Sequence, residues 1–259
     1  MSSLVLWVTM RVAHPLTLQS SLADFAPTML PGYLTKQEQI AVRGVADVCI
    51  CSLLDRNQFF DPVDEALGLG ISSATWPLFG LLWPSGAQLA ARIALRPVDA
   101  NEHILEIGCG LALASIVAHR RGADVTASDC HPLAAGFLQR NLRLNHLLPM
   151  PYVHGQWGGE PDANGSSIQA VVVKKYELIM GSDVLYERDS KGDLASFIAL
   201  HAAPAAQVWI VDPDRSNRAA FNKRMLAQGF VLHEERLDTL ASDEIAAYKG
   251  RLLTYRRSG

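Results

Sequence analysis

The feature that most constrains this chain is a set of short segments that are apolar at consecutive positions. Ile104-Leu105 with Ile107, Leu178 to Met180, and Val208 to Val211 are the clearest. A strand with one wet face alternates apolar and polar side chains, whereas a strand apolar on both faces must be covered on both. Further segments of strand character lie at His103 to Ile107, Val125 to Ser128, Tyr152 to Gln156, Leu178 to Ser182, Gln207 to Val211, Val231 to Glu234 and Arg251 to Tyr255. Helices are expected between them. They run over Gln88 to Arg96, stopped before Pro97; Leu111 to Arg121, stopped at Gly122; Pro132 to Asn145; Gly192 to His201; and Asn217 to Gln228, stopped at Gly229. Strands alternating with helices predict an α/β, doubly wound, Rossmann-like sheet of seven strands, mostly parallel. The last two strands follow each other without a long helix, so one of them is expected to run antiparallel.

Residues 1–86 lack this rhythm and read as an N-terminal extension packed on the core, with 87–259 as the main domain. Within the extension, Val48 to Leu54 has strand character, Asp55 to Asn57 reads as a turn, and Lys36 to Ala46 admits either a short helix or a strand. Gly158 to Ser167 is rich in Gly, Ser and Asn and reads as a surface loop.

The first strand of the rhythm ends in Glu106-Ile107-Gly108-Cys109-Gly110, and a helix follows at once. Glycines let a backbone turn sharply and approach a ligand closely. Asp129 closes the next strand, where a carboxylate can accept hydrogen bonds from both hydroxyls of a ribose. A dinucleotide fingerprint needs a third glycine, but Leu113 stands in that place. S-adenosylmethionine has no pyrophosphate to seat and needs only the glycine turn, the carboxylate and an adenine pocket. The pattern therefore favours S-adenosylmethionine as cofactor over a nicotinamide dinucleotide.

The segment His103 to Asn145 resembles the first motifs of a seven-β-strand, class I S-adenosylmethionine-dependent methyltransferase. More narrowly it is similar to the family 16 methyltransferases, which include protein-lysine N-methyltransferases and bacterial nicotinamide N-methyltransferase-like proteins. Leu82 to Gly86, Gln156-Trp157-Gly158 and the D-x-x-Y of Asp183 to Tyr186 carry the narrower likeness. Two positions depart from the family pattern: Ala112 where relatives often have Gly, and Gln156 where an acidic residue often binds the adenine amine. The resemblance implies that Trp83, Glu106, Gly108, Gly110, Asp129, Trp157 and Ser182 bind the cofactor. It implies that Asp183 and Tyr186 face the donor methyl, with Asp183 holding an incoming amine and Tyr186 walling the channel. Asp212-Pro213-Asp214-Arg215, at the end of the fifth strand, reads as a turn at the rim of the site.

The leading expectation is an N-methyltransferase acting on a lysine of a protein partner. A small amine or ring nitrogen is the alternative acceptor. A nicotinamide-dependent oxidoreductase and a non-catalytic binding protein of the same fold are less favoured. A net charge of −3 and the absence of two prolines after Asp183 argue against a nucleic-acid substrate. With 49% apolar residues the chain is not a disordered one. The four cysteines and eight histidines form no metal-ligand spacing, so no metal is expected, and reduced thiols fit a cytoplasmic protein. The start MSSLVLWVTMR lacks the basic segment of a signal peptide, and Ala74 to Leu95 is interrupted by Pro77, Pro84 and Arg92, so no membrane association is expected. A monomer is the default expectation.

Overall fold

The computed structural model describes residues 28–30, 32–158, 172–186, 189–240 and 247–259. Two sheets are present among them. Strands β1 (Thr28–Leu30), β2 (Tyr33–Ile40) and β3 (Val48–Leu53) form a small antiparallel sheet. The segment from Lys36 is thus a strand, not a helix. A short helix α1 (Glu65–Gly68) and a 3₁₀ turn (Trp76–Gly80) lead into α2 (Pro84–Leu95). The main sheet is built from β4 (His103–Ile107), β5 (Asp124–Asp129), β6 (Tyr152–His154), β7 (Tyr176–Ser182), β8 (Ala202–Asp212), β9 (Val231–Arg236) and β10 (Arg251–Arg257). Its helices are α3 (Leu113–Arg120), α4 (Ala134–Leu144), α5 (Asp193–His201) and α6 (Arg218–Ala227).

The main sheet has the order β6-β5-β4-β7-β8-β10-β9. Every adjacent pair from β6 to β8 is parallel, whereas β10 runs antiparallel to both β8 and β9. The seven-stranded, mostly parallel sheet with one reversed strand is therefore the architecture expected from the residue pattern. Burial on both faces explains the apolar residues at consecutive positions of these strands. Ile104, Leu178, Met180 and Val211 enter a core shared with α2, α3 and α4. Their neighbours Leu105, Ile107, Ile179, Val208 and Ile210 enter a second core with α5 and α6. Consecutive residues point to opposite faces of a strand, and here both faces are filled.

The helix before the first strand of the rhythm begins at Pro84, four residues earlier than the periodicity suggested. Proline lacks a backbone N–H and has a φ fixed in the helical range, so it opens a helix as readily as it ends one. Gly122 and Gly229 lie at φ +85° and +82°, the left-handed positions that stop α3 and α6. The Gly158 to Ser167 loop lies, apart from its first residue, outside the described residues, as does the MSSLVLWVTMR segment.

The small sheet shares the core of α2, α3 and α4 through Val48, Ile50, Cys51 and Leu53. One edge of β3 pairs with β2. The other is met by side chains of α4 rather than by a strand. Asn141 Oδ1 accepts the Cys51 N–H at 2.8 Å, and Asn145 Oδ1 accepts the Cys49 N–H at 2.9 Å. Asn145 Nδ2 donates back to the Cys49 carbonyl at 2.7 Å. Residues four apart on a helix share a face, so α4 presents two amides at a spacing that serves alternate residues of the strand. Replacing Asn141 with Ala would leave the buried Cys51 N–H without an acceptor. Urea unfolding of Asn141→Ala is expected to show a loss of about 1–3 kcal/mol with an unchanged denaturant slope.

Candidate functional site

A cleft of about 1130 Å³ opens where the strands of the main sheet end. Trp83, Glu106, Gly108, Gly110, Asp129, Trp157, Ser182, Asp183 and Tyr186 all line it. These residues come from five separate stretches of chain. The cleft lies beyond the carboxyl ends of β4, β5 and β7, beside the point where the strand order reverses, which is where open α/β sheets bind ligands.

Asp129, the last residue of β5, organises the floor. Its Oδ2 accepts the Gly110 N–H at 2.8 Å and its Oδ1 accepts the His131 N–H at 2.8 Å. The residue is buried, 8% exposed. Burial pushes its pKa above the usual carboxylate value, and the N–H groups of His131, Gly110 and Cys130 oppose that rise. Asp129 thus fastens the loop after β4 to the loop after β5. Glu106 performs a similar task one strand residue earlier. Its Oε2 accepts both the N–H (2.8 Å) and the hydroxyl of Ser115, in the first turn of α3. Burial pushes the Glu106 pKa up to about 7, with the Ser115 hydrogen bonds acting against it.

Both glycines of the loop are left-handed, at φ +56° for Gly108 and +51° for Gly110. A ligand is not the only reason for glycine here. A Cβ on Gly110 would lie 2.7 Å from the Phe79 carbonyl oxygen, and one on Gly108 would lie 3.0 Å from Val184 and 3.4 Å from the Trp157 ring. The fold itself forbids side chains at these two positions. Ala112, which replaces the third small residue of the family pattern, sits at φ +58° and is fully buried.

The walls are aromatic. Trp83 lies at the start of α2 and donates its Nε1–H to the Leu78 carbonyl at 2.9 Å. Trp157 Nε1 is buried with no hydrogen-bond partner among the described residues. Gln156 also lines the cleft, with its Nε2 3.4 Å from the Leu69 carbonyl. His131, for which the residue pattern predicts no role, lines the cleft and is buried. Its ring stacks on Phe79 with centroids 3.7 Å apart and planes 13° apart, and its Nδ1 accepts the Leu133 N–H at 3.2 Å. Burial pushes the His131 pKa down to about 3, although nearby Asp61 acts the other way.

At the far end, Ser182 closes β7 and Asp183 follows at φ +58°. Asp183 is not a bare carboxylate. Arg215 Nη2 donates to its Oδ1 at 2.8 Å. Tyr186 stands at the mouth, 45% exposed. The Asp212 to Arg215 segment does turn, with Asp212 Oδ2 accepting the Arg215 N–H at 2.8 Å, but it also delivers Arg215 into the cleft. Among the described residues no group of His, Cys, Asp and Glu could hold a metal ion.

A family profile described as lysine methyltransferase matches residues 80–226, more than half of the chain. The electron transfer flavoprotein beta subunit lysine methyltransferase of Danio rerio is 30% identical over 57% of this chain and 54% of its own length. Histone-arginine methyltransferase METTL23 of Xenopus laevis is 27% identical over 52% of this chain and 57% of its own. The chain thus spans little more than half the length of these curated relatives. Among solved structures, magnesium protoporphyrin IX methyltransferase from Synechocystis PCC 6803 with bound SAM superposes with a TM-score of 0.51 at 19% identity. That match covers 67% of this chain and 78% of the other, a likeness of fold.

Two outcomes follow from this geometry. Gly110→Ala places a methyl against the Phe79 carbonyl in a left-handed backbone, and chemical denaturation is expected to show a loss of at least about 2 kcal/mol. His131 stays neutral in the fold until about pH 3, whereas the unfolded chain takes up its proton near 6.5. Its contribution is therefore lost as pH falls through that window. Relative to wild type, His131→Phe is expected to gain stability on acidification from pH 6.5, with a slope approaching about 1.4 kcal/mol per unit. A pH-independent difference between the two would contradict it.

Proposed function

The chain belongs to the lysine methyltransferase family, and from that premise we propose that it moves a methyl group from S-adenosylmethionine to the side-chain amine of a lysine in a protein partner. The observation that carries this reading is the meeting, in one cleft, of a prebuilt glycine loop, an aromatic wall whose Trp157 N–H has no partner among the described residues, and the Asp183 to Tyr186 segment. A cleft of about 1130 Å³ exceeds the ~300–1,000 Å³ usual for a single small ligand, which suits a donor and an acceptor together.

The residues present fit the cofactor. Gly108 and Gly110 keep the loop free of side chains, Asp129 lies on the floor with lone pairs left for ribose hydroxyls, and Trp157 offers the adenine a flat face and an Nε1–H that has no partner among the described residues. Trp83, Glu106 and Ser182 border the methionine end. S-adenosylmethionine, when bound, supplies a methyl group activated on a sulfonium. The chain's own part is to align and to desolvate. A lysine amine, with a reference pKa of ~10.4, must present its lone pair, and an enclosed apolar channel favours the neutral form. Val184 and Leu185 are buried beside Asp183 and supply such a wall. Asp183 then accepts an N–H of the amine, and Tyr186 limits the width of the mouth. We place the protein in the cytoplasm as a monomer that uses neither nucleic acid nor a membrane. Four free thiols support a reducing compartment, and among the described residues no helix is long and apolar enough to cross a membrane.

The test starts with calorimetric titration of S-adenosylhomocysteine into wild type and Trp157→Ala, a change that leaves the loop hydrogen bonds intact. Saturable binding, weakened about tenfold in the variant, is the expected result. Labelled methyl transfer to Nα-acetyl-lysine methylamide and to its arginine counterpart then separates acceptors. Absence of binding removes the donor assignment, and label confined to the arginine compound removes the lysine one.

A further inference from the structure

The tips of β7 and β8 lie side by side, with Ser182 opposite Val211. Past that point the two loops are tied three times. The Asp183 N–H reaches the Val211 carbonyl at 3.0 Å, Arg215 Nη2 reaches Asp183 Oδ1 at 2.8 Å, and Asn217 Nδ2 reaches the Leu185 carbonyl at 2.9 Å. The middle tie differs from the others because it uses only part of each charged group. Asp183 Oδ2 and Arg215 Nε are both buried, and neither has a hydrogen-bond partner among the described residues. A buried carboxylate oxygen without a donor is costly unless something that binds there supplies one. Asp183 also holds a left-handed backbone, a strained state that persists only where the surroundings enforce it.

We propose that Arg215 is a positioning residue for the methyl acceptor: it pins Oδ1 of Asp183 and leaves Oδ2 as the one oxygen that receives the acceptor's N–H. The inference rests on the amine-methylating reading above and adds to it the residue that sets the acceptor's direction. Arg215 acts through Asp183. One fixed oxygen defines one line of approach, whereas an unpinned carboxylate can rotate and present either oxygen. Asp214 is held by Arg218, Arg236 and Arg251, so Arg215 is the arginine that pairs with Asp183.

The experiment compares full-length wild type, Arg215→Ala and Arg215→Lys. Affinity for S-adenosylhomocysteine is measured by calorimetry, thermal stability by melting, and S-adenosylhomocysteine production with Nα-acetyl-lysine methylamide as acceptor by steady-state kinetics. Misalignment of a reactant lowers kcat, so Arg215→Ala is expected to lose roughly 10- to 100-fold in kcat while its affinity for S-adenosylhomocysteine stays within about twofold of wild type. The ion pair uses a single donor, which a lysine ammonium can also supply, so Arg215→Lys is expected to recover part of the loss. An Arg215→Ala enzyme with wild-type kcat overturns the proposal. So does a parallel fall in kcat, product affinity and melting temperature in both variants, which would mark Arg215 as structural only. Wild type that binds S-adenosylhomocysteine but methylates no lysine compound defeats the amine reading and the inference with it, and is told apart by the wild-type arm alone. Should Arg215→Ala fail to fold, Arg215→Gln takes its place in the same comparison.

Discussion

One carboxylate holds the working end of this protein together. Asp129 closes β5, and its two oxygens reach in opposite directions, one to the N–H of Gly110 and one to that of His131. Each bond fastens a loop that has no regular structure of its own. The bond to Gly110 helps to hold the left-handed backbone that brings this residue under the Phe79 carbonyl. The chain therefore carries the desolvation of this carboxyl as a cost of folding and obtains in return two fixed loops at the floor of the cleft.

A second polar device fixes the N-terminal sheet. Antiparallel strands expose unpaired N–H and C=O groups along any free edge, and such an edge invites pairing with another chain. Here Asn141 and Asn145 close the edge of β3 from the helix side, and Arg120 adds contacts to the Ala46 and Asp47 carbonyls. The small sheet is thus bound to the α2, α3 and α4 face by hydrogen bonds as well as by Ile50 and Leu53. It carries with it the segment from Leu69 to Leu82 that forms one wall of the cleft.

The fold was legible because burial on both sheet faces writes itself into the strands as unbroken apolar runs. Eight of the nine candidate residues lie at or just beyond the ends of β4, β5, β6 and β7, which the parallel register brings to one place, whereas Trp83, at the start of α2, came from the family resemblance alone. What escaped were contacts between residues distant in sequence. Nothing near Asn141 announces that it serves Cys51, ninety positions away. The half-exposed β2 carries Lys36, Gln37, Glu38 and Gln39 in a row, a pattern that periodicity cannot assign. Arg215 could be placed at the rim from its position after β8, but its pairing with Asp183 depends on β7 and β8 being neighbours. Glu106 and Asp129 were read toward a ligand, and both also brace the backbone, a double use that residue type alone does not separate.

The reversed strand has a consequence for how the molecule assembles. β10 lies between β8 and β9, with Arg251 opposite Asp212 and Arg236 at once. Until β10 has left the ribosome, β9 has no neighbour in the sheet and the outer edge of β8 stands open. The strand that presents Asp212 and leads into Arg215 is therefore the last of the parallel set to be enclosed. The Asp129 brace on Gly110 joins residues made before β7, whereas the Arg215 tie to Asp183 needs a strand whose outer edge is covered only when β10 arrives.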